Sequence, residues 1–518
     1  MAALGLVLVF DLATPLALSD EWMFRFPLQS LRAGHGFQLW PGVLPLSLVQ
    51  LVTALPLVGA DPRFWRLAEL PYLVLAAGAT YALANRLGAG RFWSSVGAAL
   101  VTCAPVTLSV ATGFTSDIAY LGLLMLAAWL ALRWAAGGGL TPFLAVSALA
   151  TLQRQHGFAI VLALSLAVLL WRRADRRHLV GLGALWLVTL AALTGPFVLG
   201  ISSSTMNGLR SGNGRLGPGP GSMIATLIVA MPMLGMFFMP LAPALWRRPK
   251  GEHGRGLLPT VAFALAVAGV AGSAGFAVLF QGDIWPGNVW GYWGLGPTHL
   301  GGSKPPLLPI PAYLFVEVLS VLSFVVILAR RRGLWQPARL GFEGSFLVLL
   351  ALGGLLPMPF TSPLDRYFIQ AMAPLAPLLV LAAAKAEVAP PSLTAWPRIA
   401  TVAALLAGVV FYAAGQQDYV AWQQARDAAA RLAYARLPAQ RVEAGYEAVA
   451  TYAAVPEYLR TGRLIIDPID LKPPDPVARL VFAPPGDPRP GAAYSSLSPG
   501  RVVIVCLVAP PQCPFPSP

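Results

Sequence analysis

Charged residues are scarce in this chain of 518 residues. Asp, Glu, Lys and Arg together make up 11% of the sequence, whereas an average soluble domain contains about 25%. Hydrophobic residues make up 57%, and the mean hydropathy is +0.66. These values exclude an ordinary soluble protein. Because many apolar runs are long enough to cross a bilayer, we predict an all-α, polytopic membrane protein.

Acidic residues are scarcer than basic ones. The chain has 22 Asp and Glu residues against 36 Lys and Arg residues, which gives a formal net charge of +14. A basic chain can bind nucleic acid, but the basic excess of a membrane protein usually lies in its cytoplasmic loops. The distribution of the cations favours the second interpretation, so we predict no nucleic-acid partner.

Cysteine is also rare, with three residues in the chain. Cys103 lies inside an apolar run and is interpreted as a small core residue. Cys506 and Cys513 lie close together near the C-terminus. They could form a small-loop disulfide if this part of the chain is outside the cytoplasm, or they could remain two separate thiols. The sequence leaves both alternatives open.

Thirteen apolar segments are predicted to form transmembrane helices. They are Met1 to Leu18, Glu69 to Ala84, Phe92 to Ala111, Ile118 to Leu132, Leu140 to Leu152, Gly157 to Leu170, Leu179 to Gly200, Met223 to Leu245, Leu257 to Phe280, Leu307 to Leu328, Gly341 to Phe360, Tyr367 to Ala384 and Ile399 to Gly415. A further run, Val43 to Ala60, contains two prolines and is predicted to lie at the surface or to be re-entrant.

The loop charges predict the orientation. If Val43 to Ala60 does not cross, most cations of the helical part fall on one side, which is therefore cytoplasmic. The N-terminus is then inside, and the first outer loop covers residues 19–68. The C-terminal residues 416–518 are outside. They contain a helical stretch, Gln417 to Ala435, and three strand-like runs, Leu464 to Asp467, Ala478 to Phe482 and Val502 to Val508. We therefore predict two domains, a transmembrane domain over residues 1–415 and a small α/β extracytoplasmic domain over 416–518.

The same orientation collects polar residues on the outer side. They are the carboxylates Asp20, Glu21 and Asp117, the cations Arg154, Arg210, Arg215, Lys304 and Arg366, and the imidazoles His156 and His299. Such a set suits sugar transfer from a phospholipid donor. Arginines stabilise the departing phosphate, and a carboxylate takes the proton of an acceptor hydroxyl. A single displacement of this kind inverts the anomeric carbon.

Four motifs in this set resemble those of GT-C glycosyltransferases, especially the protein O-mannosyltransferases and the lipid A aminoarabinose transferases. They are Asp20-Glu21-Trp22 with Leu31 to Phe37, Thr115-Ser116-Asp117, Leu152-Gln153-Arg154-Gln155, and Asp365-Arg366-Tyr367-Phe368 followed by Pro374 and Pro377. The motifs occur in the family's order and on one predicted side of the membrane. The resemblance covers about Met1 to Gly415.

The resemblance implies roles for individual residues. Asp20 corresponds to the catalytic aspartate of the first loop, and Glu21 assists it or binds acceptor. Asp117 corresponds to the acid of the second loop. Arg154 and Arg366, with Tyr367 beside them, correspond to positions that face the donor phosphate. Lys304 and His299 are looser assignments to the same substrate.

The family also implies a substrate class. Its donor is a polyprenyl-phosphate sugar, and its acceptor is a lipid, a glycan or a protein at the outer face of the cytoplasmic membrane. No tightly bound metal is implied for most members, although some branches use a divalent cation held by the two loop acids.

Simpler interpretations of these residues exist. Asp20 and Asp117 each stand where an acid can cap a helix. Arg154 and Arg366 could extend towards lipid phosphates from helix ends. The alternative function is a transporter or flippase for a lipid-linked or anionic substrate, with the same residues as a gate. A scaffold without catalytic function would leave the shared sidedness of acids and cations unexplained.

Overall fold

The structure is a computed structural model. It describes residues 2–13, 16, 21–40, 47–171, 175–198, 232–245, 290–291, 294–295, 300–302, 304, 306–307, 309–330, 337–356, 365–387, 391–463, 471–497, 499–509 and 511–515. The predicted helix from Leu257 to Phe280 and the strand-like run from Leu464 to Asp467 lie outside these residues.

The protein is mostly helical. Its α-helices in the described ranges are α1 (Ala2–Ala13), α2 (Glu21–Arg32), α3 (Leu48–Ala54), α4 (Leu70–Arg86), α5 (Gly90–Thr102), α6 (Pro105–Ala111), α7 (Ser116–Ala135), α8 (Thr141–Gln153), α9 (Phe158–Leu170), α10 (Arg176–Val198), α11 (Pro232–Leu245, with a 3₁₀ turn at Met239–Leu241), α12 (Ile310–Arg330), α13 (Pro337–Leu355), α14 (Phe368–Met372), α15 (Ala376–Ala386), α16 (Pro391–Tyr434), α17 (Tyr446–Val449) and α18 (Val455–Thr461).

Several of these helices are long and apolar enough to cross a membrane. Within the described ranges five pass this test, or six if α5 and α6 count as one bent span. They are Pro62–Arg86, Ser116–Ala135, Arg176–Pro196, Phe368–Ala386 and Ala395–Tyr434. The predicted total of thirteen spans stays a prediction.

The run predicted as one helix from Phe92 to Ala111 is divided in the structure. Helices α5 and α6 meet at a bend of 56°. Pro105 is the first residue of α6, and it disfavours the helical conformation of the residue before it. Ala104 accordingly has ψ 137°. The proline explains why the single predicted helix is broken here.

The doubtful run from Val43 to Ala60 forms short elements. Helix α3 has seven residues, and a 3₁₀ turn, Leu55–Leu57, follows it. A helix of seven residues is about 10 Å long, whereas the hydrocarbon core of a bilayer is about 30 Å thick. This element is therefore too short to cross. A second 3₁₀ helix, Pro62–Glu69, leads from it into α4.

Helix α7 lies at the centre of the helical core. Residues along most of its length are buried, including Ile118, Leu121 and Met125. Gly122 allows the closest contact with α4, since a Cβ at this position would lie 2.5 Å from the carbonyl oxygen of Tyr72. A larger residue would force α4 and α7 apart, and α7 carries Asp117 at its N-terminal end.

The C-terminal part contains a sheet. Strands β3 (Gly301–Gly302), β5 (Ala478–Ala483), β7 (Gly500–Cys506) and β6 (Gly491–Tyr494) lie side by side in this order, and β4 (Val442–Glu443) pairs with β5. Strand β7 runs antiparallel to β5 and β6, with Leu480 opposite Ile504. A separate hairpin joins β1 (Trp290–Gly291) to β2 (Gly294–Leu295). Two of the predicted strands are thus found as β5 and β7.

Cys506 and Cys513 form a disulfide with a Cα–Cα distance of 6.0 Å. The bond closes a short loop at the end of β7. It therefore holds the last described residues, 511–515, against the sheet. This is one of the two alternatives that the sequence left open.

The C-terminal part shares a hydrophobic core with the first loop. Trp22 and Phe26 on α2, together with Trp40, pack against residues from α16, α18 and the sheet. The Trp22 ring lies 4.9 Å from that of Trp40 and 5.6 Å from that of Tyr446. Such edge-to-face contacts add about 0.5–1.5 kcal/mol to the burial itself. The boundary predicted at residue 415 stays a prediction, and α16 runs through it without a break.

Candidate functional site

Asp117 lies in the first turn of α7 and is 3% exposed. An acid in this position is stabilised by the positive end of the helix dipole. Its carboxylate forms an ion pair with Arg154, and Nε2 of Gln370 donates to its Oδ1 at 3.1 Å. Asp117 therefore does more than cap α7, because its bonds to Arg154 and Gln370 join α7 to the end of α8 and to α14.

Arg154 stands at the break between α8 and a 3₁₀ turn, Gln155–Gly157. Its extended backbone, with φ −152° and ψ 141°, ends α8. The side chain is 7% exposed, and Nη1 also lies 3.3 Å from Oγ of Ser116. A guanidinium held in this way is buried against protein groups rather than extended into solvent.

The ring of Tyr367 contacts two arginines. It ends a 3₁₀ turn, Asp365–Tyr367, that leads into α14. The centre of its ring lies 5.1 Å from the guanidinium carbon of Arg154 and 5.4 Å from that of Arg366. Arg366 is 6% exposed. Cation–π contacts of this kind contribute about 0.5–2 kcal/mol each. The Tyr367 ring therefore contacts both Arg366 and the arginine that pairs with Asp117.

His156 lies near the Tyr367 ring as well. Its imidazole is 6.3 Å from the rings of Tyr120 and Tyr367. Burial, reinforced by the charge of Arg154, lowers the pKa of His156 to about 3. The imidazole is therefore neutral at neutral pH and contributes hydrogen-bonding atoms rather than a third positive charge.

A buried polar network supports this cluster from α3. Oε1 of Gln153 accepts from the backbone amide of Gln50 at 3.0 Å, and Nε2 of Gln153 donates to the carbonyl of Ser116 at 3.3 Å. Gln50 in turn donates to Glu69. The backbone amide of Ser47 donates to the Gln153 carbonyl at 3.0 Å, with Ser47 at a left-handed φ of 73°. The network fixes the residues on either side of Asp117 and Arg154.

Sequence reasoning assigned no role to Gln50, Glu69 and Gln370. Each is a strongly polar side chain in or beside an apolar run, and each is buried. A buried polar group needs a partner, so this property is the signal that could have drawn attention to them.

The other predicted site residues have different positions. Asp20 and His299 lie outside the described residues, as do Arg210 and Arg215. Glu21 is fully buried and forms ion pairs with Arg25 and Arg66, and its Oε1 lies 2.7 Å from Nε of Arg66. Nζ of Lys304 lies 2.7 Å from Oδ2 of Asp418. Burial lowers the pKa of Lys304, although Asp418 acts in the opposite direction.

No group of three or more His, Cys, Asp and Glu side chains that could hold a metal ion is found in the parts of the chain that the structure describes. Among the described residues, Asp117 pairs with the guanidinium of Arg154, and the Arg366 guanidinium lies over the same Tyr367 ring. Guanidinium groups bind anions rather than divalent cations.

Comparison with known proteins gave similarity to solved structures alone. No family model matches the chain, and no curated protein matches it. The structure is similar to two crystal structures of ArnT from Cupriavidus metallidurans, one bound to undecaprenyl phosphate and one in the apo state. The first has 15% sequence identity and a TM-score of 0.40, and the match covers 99% of this chain and 98% of that chain. The second has 16% identity and a TM-score of 0.39, with 97% and 96% covered.

ArnT is an aminoarabinose transferase, so one of the two protein groups that the sequence motifs resemble is also found among the structural neighbours. At this level of identity and TM-score, no role of an individual residue is taken from either structure.

Proposed function

We propose that this protein is an inverting glycosyltransferase of the GT-C type. It moves a sugar from a polyprenyl-phosphate donor to an acceptor at the outer face of the cytoplasmic membrane. The observation that carries the proposal is the convergence of Asp117, Arg154, Arg366 and Tyr367, which come from three separate parts of the chain.

The two arginines match the donor. A polyprenyl phosphate leaves with the electron pair of the bond between its oxygen and the anomeric carbon, so negative charge grows on the phosphate during the reaction. Arg154 and Arg366 are buried, and their positive charges act more strongly there than in water. The Tyr367 ring keeps the two guanidinium groups oriented, and a guanidinium binds phosphate oxygens through paired N–H donors.

The acceptor requires a base. Its hydroxyl oxygen forms the new bond to the anomeric carbon and gives its proton to a carboxylate, while the phosphate leaves from the opposite face. Asp20 remains the predicted base. Asp117, already paired with Arg154, positions that arginine for the donor phosphate.

Two observations support an outer location of the C-terminal part. The loop charges predict that residues 416–518 are outside the cytoplasm. The disulfide between Cys506 and Cys513 is of a kind that persists in oxidising compartments and is rare in the cytosol.

The transporter alternative has one observation in its favour. The bend between α5 and α6 borders an apolar cavity of about 350 Å³, lined among others by Pro105, Met236, Val316 and Phe411. Interrupted helices form substrate sites in many transporters. The polar cluster at Asp117 is formed by other helix ends, so the apolar cavity and the charged residues do not line one substrate site. This favours the enzyme over the transporter.

The test is sugar transfer in membranes that contain equal amounts of the wild-type chain, Asp20→Asn or Asp117→Asn, with a panel of radiolabelled polyprenyl-phosphate sugars. We expect transfer by the wild type and a loss of at least about a hundredfold in Asp20→Asn, as is usual for a general base. Glu343→Gln is the matched control, since Glu343 forms a partly exposed pair with Arg86. Donor movement across vesicles without transfer would favour the transporter.

A further inference from the structure

The short helix α3 and the residue after it have an exposed apolar face. Gln50, Leu51 and Ala54 are buried, whereas Val52 and Leu55 are 65% and 44% exposed. Residues three apart in a helical turn lie on one side of it, so Val52 and Leu55 form one face. The run of residues 48–60 contains no Asp, Glu, Lys or Arg. An apolar face without charges is unfavourable in water and favourable in lipid.

Helix α3 lies at one end of a helix that can span the membrane. Pro62–Arg86, which includes α4, is long and apolar enough to cross a bilayer. The hydroxyl groups of Thr53 and Tyr72 share a hydrogen bond, and the Tyr72 hydroxyl also lies 3.5 Å from the carbonyl oxygen of Val49. These contacts place α3 beside the first turn of α4. The exposed face of α3 therefore lies at the level where the span enters the membrane.

Charged residues follow the apolar run directly. Asp61 and Arg63 form an exposed ion pair with 3.1 Å between Oδ2 and Nη2, and the aromatic ring of Phe64 beside them is also exposed. Aromatic and basic side chains next to an apolar face are typical of the headgroup region of a bilayer. The order along the chain thus fits an element that lies along the membrane surface, with Val52 and Leu55 in hydrocarbon.

The buried side of α3 is bonded to the candidate site. The backbone amides of Ser47 and Gln50 donate to the carbonyl oxygen and to Oε1 of Gln153, both at 3.0 Å. Gln153 is the last residue of α8, and Arg154 follows it directly. Nε2 of Gln153 also donates to the carbonyl of Ser116, at the start of α7, at 3.3 Å. A displacement of α3 would therefore disturb the residue that precedes Arg154.

We propose that α3 couples the membrane surface to the Asp117 cluster. The partner of its apolar face is bilayer lipid, in the hydrocarbon just below the headgroups. Lipid around Val52 and Leu55 keeps Gln50 against Gln153, and the pair of Asp117 with Arg154 is ordered only in that state. This inference rests on the proposed function in one respect, because it gives the proposed site a regulator, the lipid around α3.

The first measurement asks whether α3 contacts lipid. Val52→Cys, Leu55→Cys and Arg63→Cys are each made with Cys103→Ala, since the other two cysteines are joined in a disulfide. The purified chains are labelled with a nitroxide in nanodiscs. Its collisions with oxygen, which concentrates in hydrocarbon, are compared with those with a water-soluble nickel chelate.

We expect labels at positions 52 and 55 to collide mainly with oxygen, and the label at position 63 to collide mainly with the chelate. A label at position 52 that behaves like the one at position 63 overturns the proposal. This measurement leaves the contacts of Gln153 untouched, so it does not depend on variants that could fail to fold.

The second measurement asks whether the lipid contact affects the site. Hydrogen exchange of peptides that cover residues 151–157 is measured by mass spectrometry in nanodiscs, for the wild type and for Val52→Ser combined with Leu55→Ser. We expect exchange at least about tenfold faster in the variant, because the loss of two buried hydrogen bonds at Gln153 makes local opening easier by about that factor. Unchanged exchange overturns the coupling.

The matched control is Leu187→Ser combined with Leu190→Ser. These leucines have the same spacing on α10 and are 71% and 47% exposed, close to the values for Val52 and Leu55. Their replacement removes a similar apolar face elsewhere, so we expect exchange near Arg154 to stay at the wild-type rate. An equal rise in this control overturns the proposal, because the effect would not be specific to α3.

A further variant, Gln153→Met, tests the connection itself. It removes the side-chain bonds of Gln153 to Gln50 and Ser116 and keeps the apolar face of α3. Combining it with the two serine changes should accelerate exchange by less than about a further twofold, since changes along one connection are not additive. Full additivity overturns the connection through Gln153.

Sugar transfer is measured separately in the same nanodiscs. If the wild type transfers sugar, Val52→Ser combined with Leu55→Ser should lower kcat/KM at least about tenfold, with the leucine control near the wild type. If the wild type transfers no sugar but exchange near Arg154 still depends on α3, the lipid coupling stands and the proposed function fails. Transfer together with exchange that does not depend on α3 overturns the coupling and leaves the proposed function in place.

Discussion

Two buried carboxylates of this protein, Glu21 and Asp117, were predicted from the same kind of pattern, and the structure uses them differently. Arg66 contacts both oxygens of Glu21, with Nε at 2.7 Å and Nη2 at 3.0 Å. Arg66 also binds the carbonyl of Leu16 at 2.9 Å, and Arg25 contacts Glu21 from one turn along α2. The described bonds of Asp117 reach one oxygen, Oδ1.

The difference lies in the partners. Glu21 pairs with Arg25 of α2 and with Arg66 of the 3₁₀ helix before α4. Its charge therefore holds these two elements together. Asp117 is paired with an arginine that also touches an aromatic ring and lies at a helix end. An acid next to a cation is therefore a poor guide to function by itself. A structural pair and a candidate site differ in the further contacts that the partner of the acid makes.

The largest expected effect concerns the stability of the Glu21 pair. Glu21→Gln removes the carboxylate that contacts the fully buried Arg66 guanidinium at 2.7 Å. Breaking a buried pair in this way costs about 3–5 kcal/mol. Thermal unfolding of the purified variant in detergent should show a strongly lowered midpoint, while Glu343→Gln stays near the wild type. A midpoint for Glu21→Gln equal to that of the control would contradict the structural role.

The next effect tests the proposed role of the Asp117 cluster in sugar transfer. Arg154→Lys keeps the charge but loses the planar guanidinium that pairs with Asp117 and lies over Tyr367. We expect the ratio kcat/KM for sugar transfer to fall at least about tenfold, equivalent to about 1.4 kcal/mol, with the protein still folded. Arg398→Lys, at an exposed pair with Glu387, is the control. Full activity in Arg154→Lys would exclude the guanidinium geometry from the mechanism.

A smaller effect is expected at Tyr367. Tyr367→Leu removes the ring shared by Arg154 and Arg366, which is equivalent to about 1–2 kcal/mol if both cation–π contacts are lost. Tyr367→Phe keeps the ring and should retain most of the activity. Steady-state kinetics with varied donor should show a raised KM in the leucine variant. If the phenylalanine variant is equally impaired, the hydroxyl group rather than the ring is what matters.

The last effect is absent at neutral pH and is a pH dependence at His156. The folded-state pKa of about 3 lies below the ordinary value of 6.5, so the unfolded chain takes up this proton first. The stabilising contribution is complete above pH 6.5 and is lost as the pH falls towards 3, by about 1.4 kcal/mol per pH unit. Unfolding midpoints measured across this range should fall more steeply for the wild type than for His156→Gln. Parallel curves would show that His156 is not buried as described.

Much of the helical scaffold could be predicted from the sequence. The apolar runs predicted helices at α4, α7, α8 and α9 to within a few residues of the observed ends. Hydrophobic burial in a bilayer and the obligatory pairing of backbone groups leave such a run little alternative to a helix. The break at Pro105 was also encoded locally, because it depends on one residue and its neighbour.

The sequence predicted which residues belong to the candidate site but not how they are arranged in space. Its motifs placed Asp117, Arg154, Arg366 and Tyr367 on one predicted side of the membrane, but they also placed Glu21 there. The amides Gln50 and Gln370 received no role. Their contacts join residues as far apart as 117 and 370, and pattern reasoning along one segment contains no information on such pairs.

The sequence by itself determined that the protein belongs in a membrane and which segments form helices, since both depend on the composition of single segments. Only the tertiary structure decided which carboxylate is enclosed by arginines as a structural pair and which pairs with Arg154 beside the Tyr367 ring. That decision depends on how helix ends from distant segments pack. It also brought the first loop and the C-terminal part together around one core, in which both bury aromatic residues away from water.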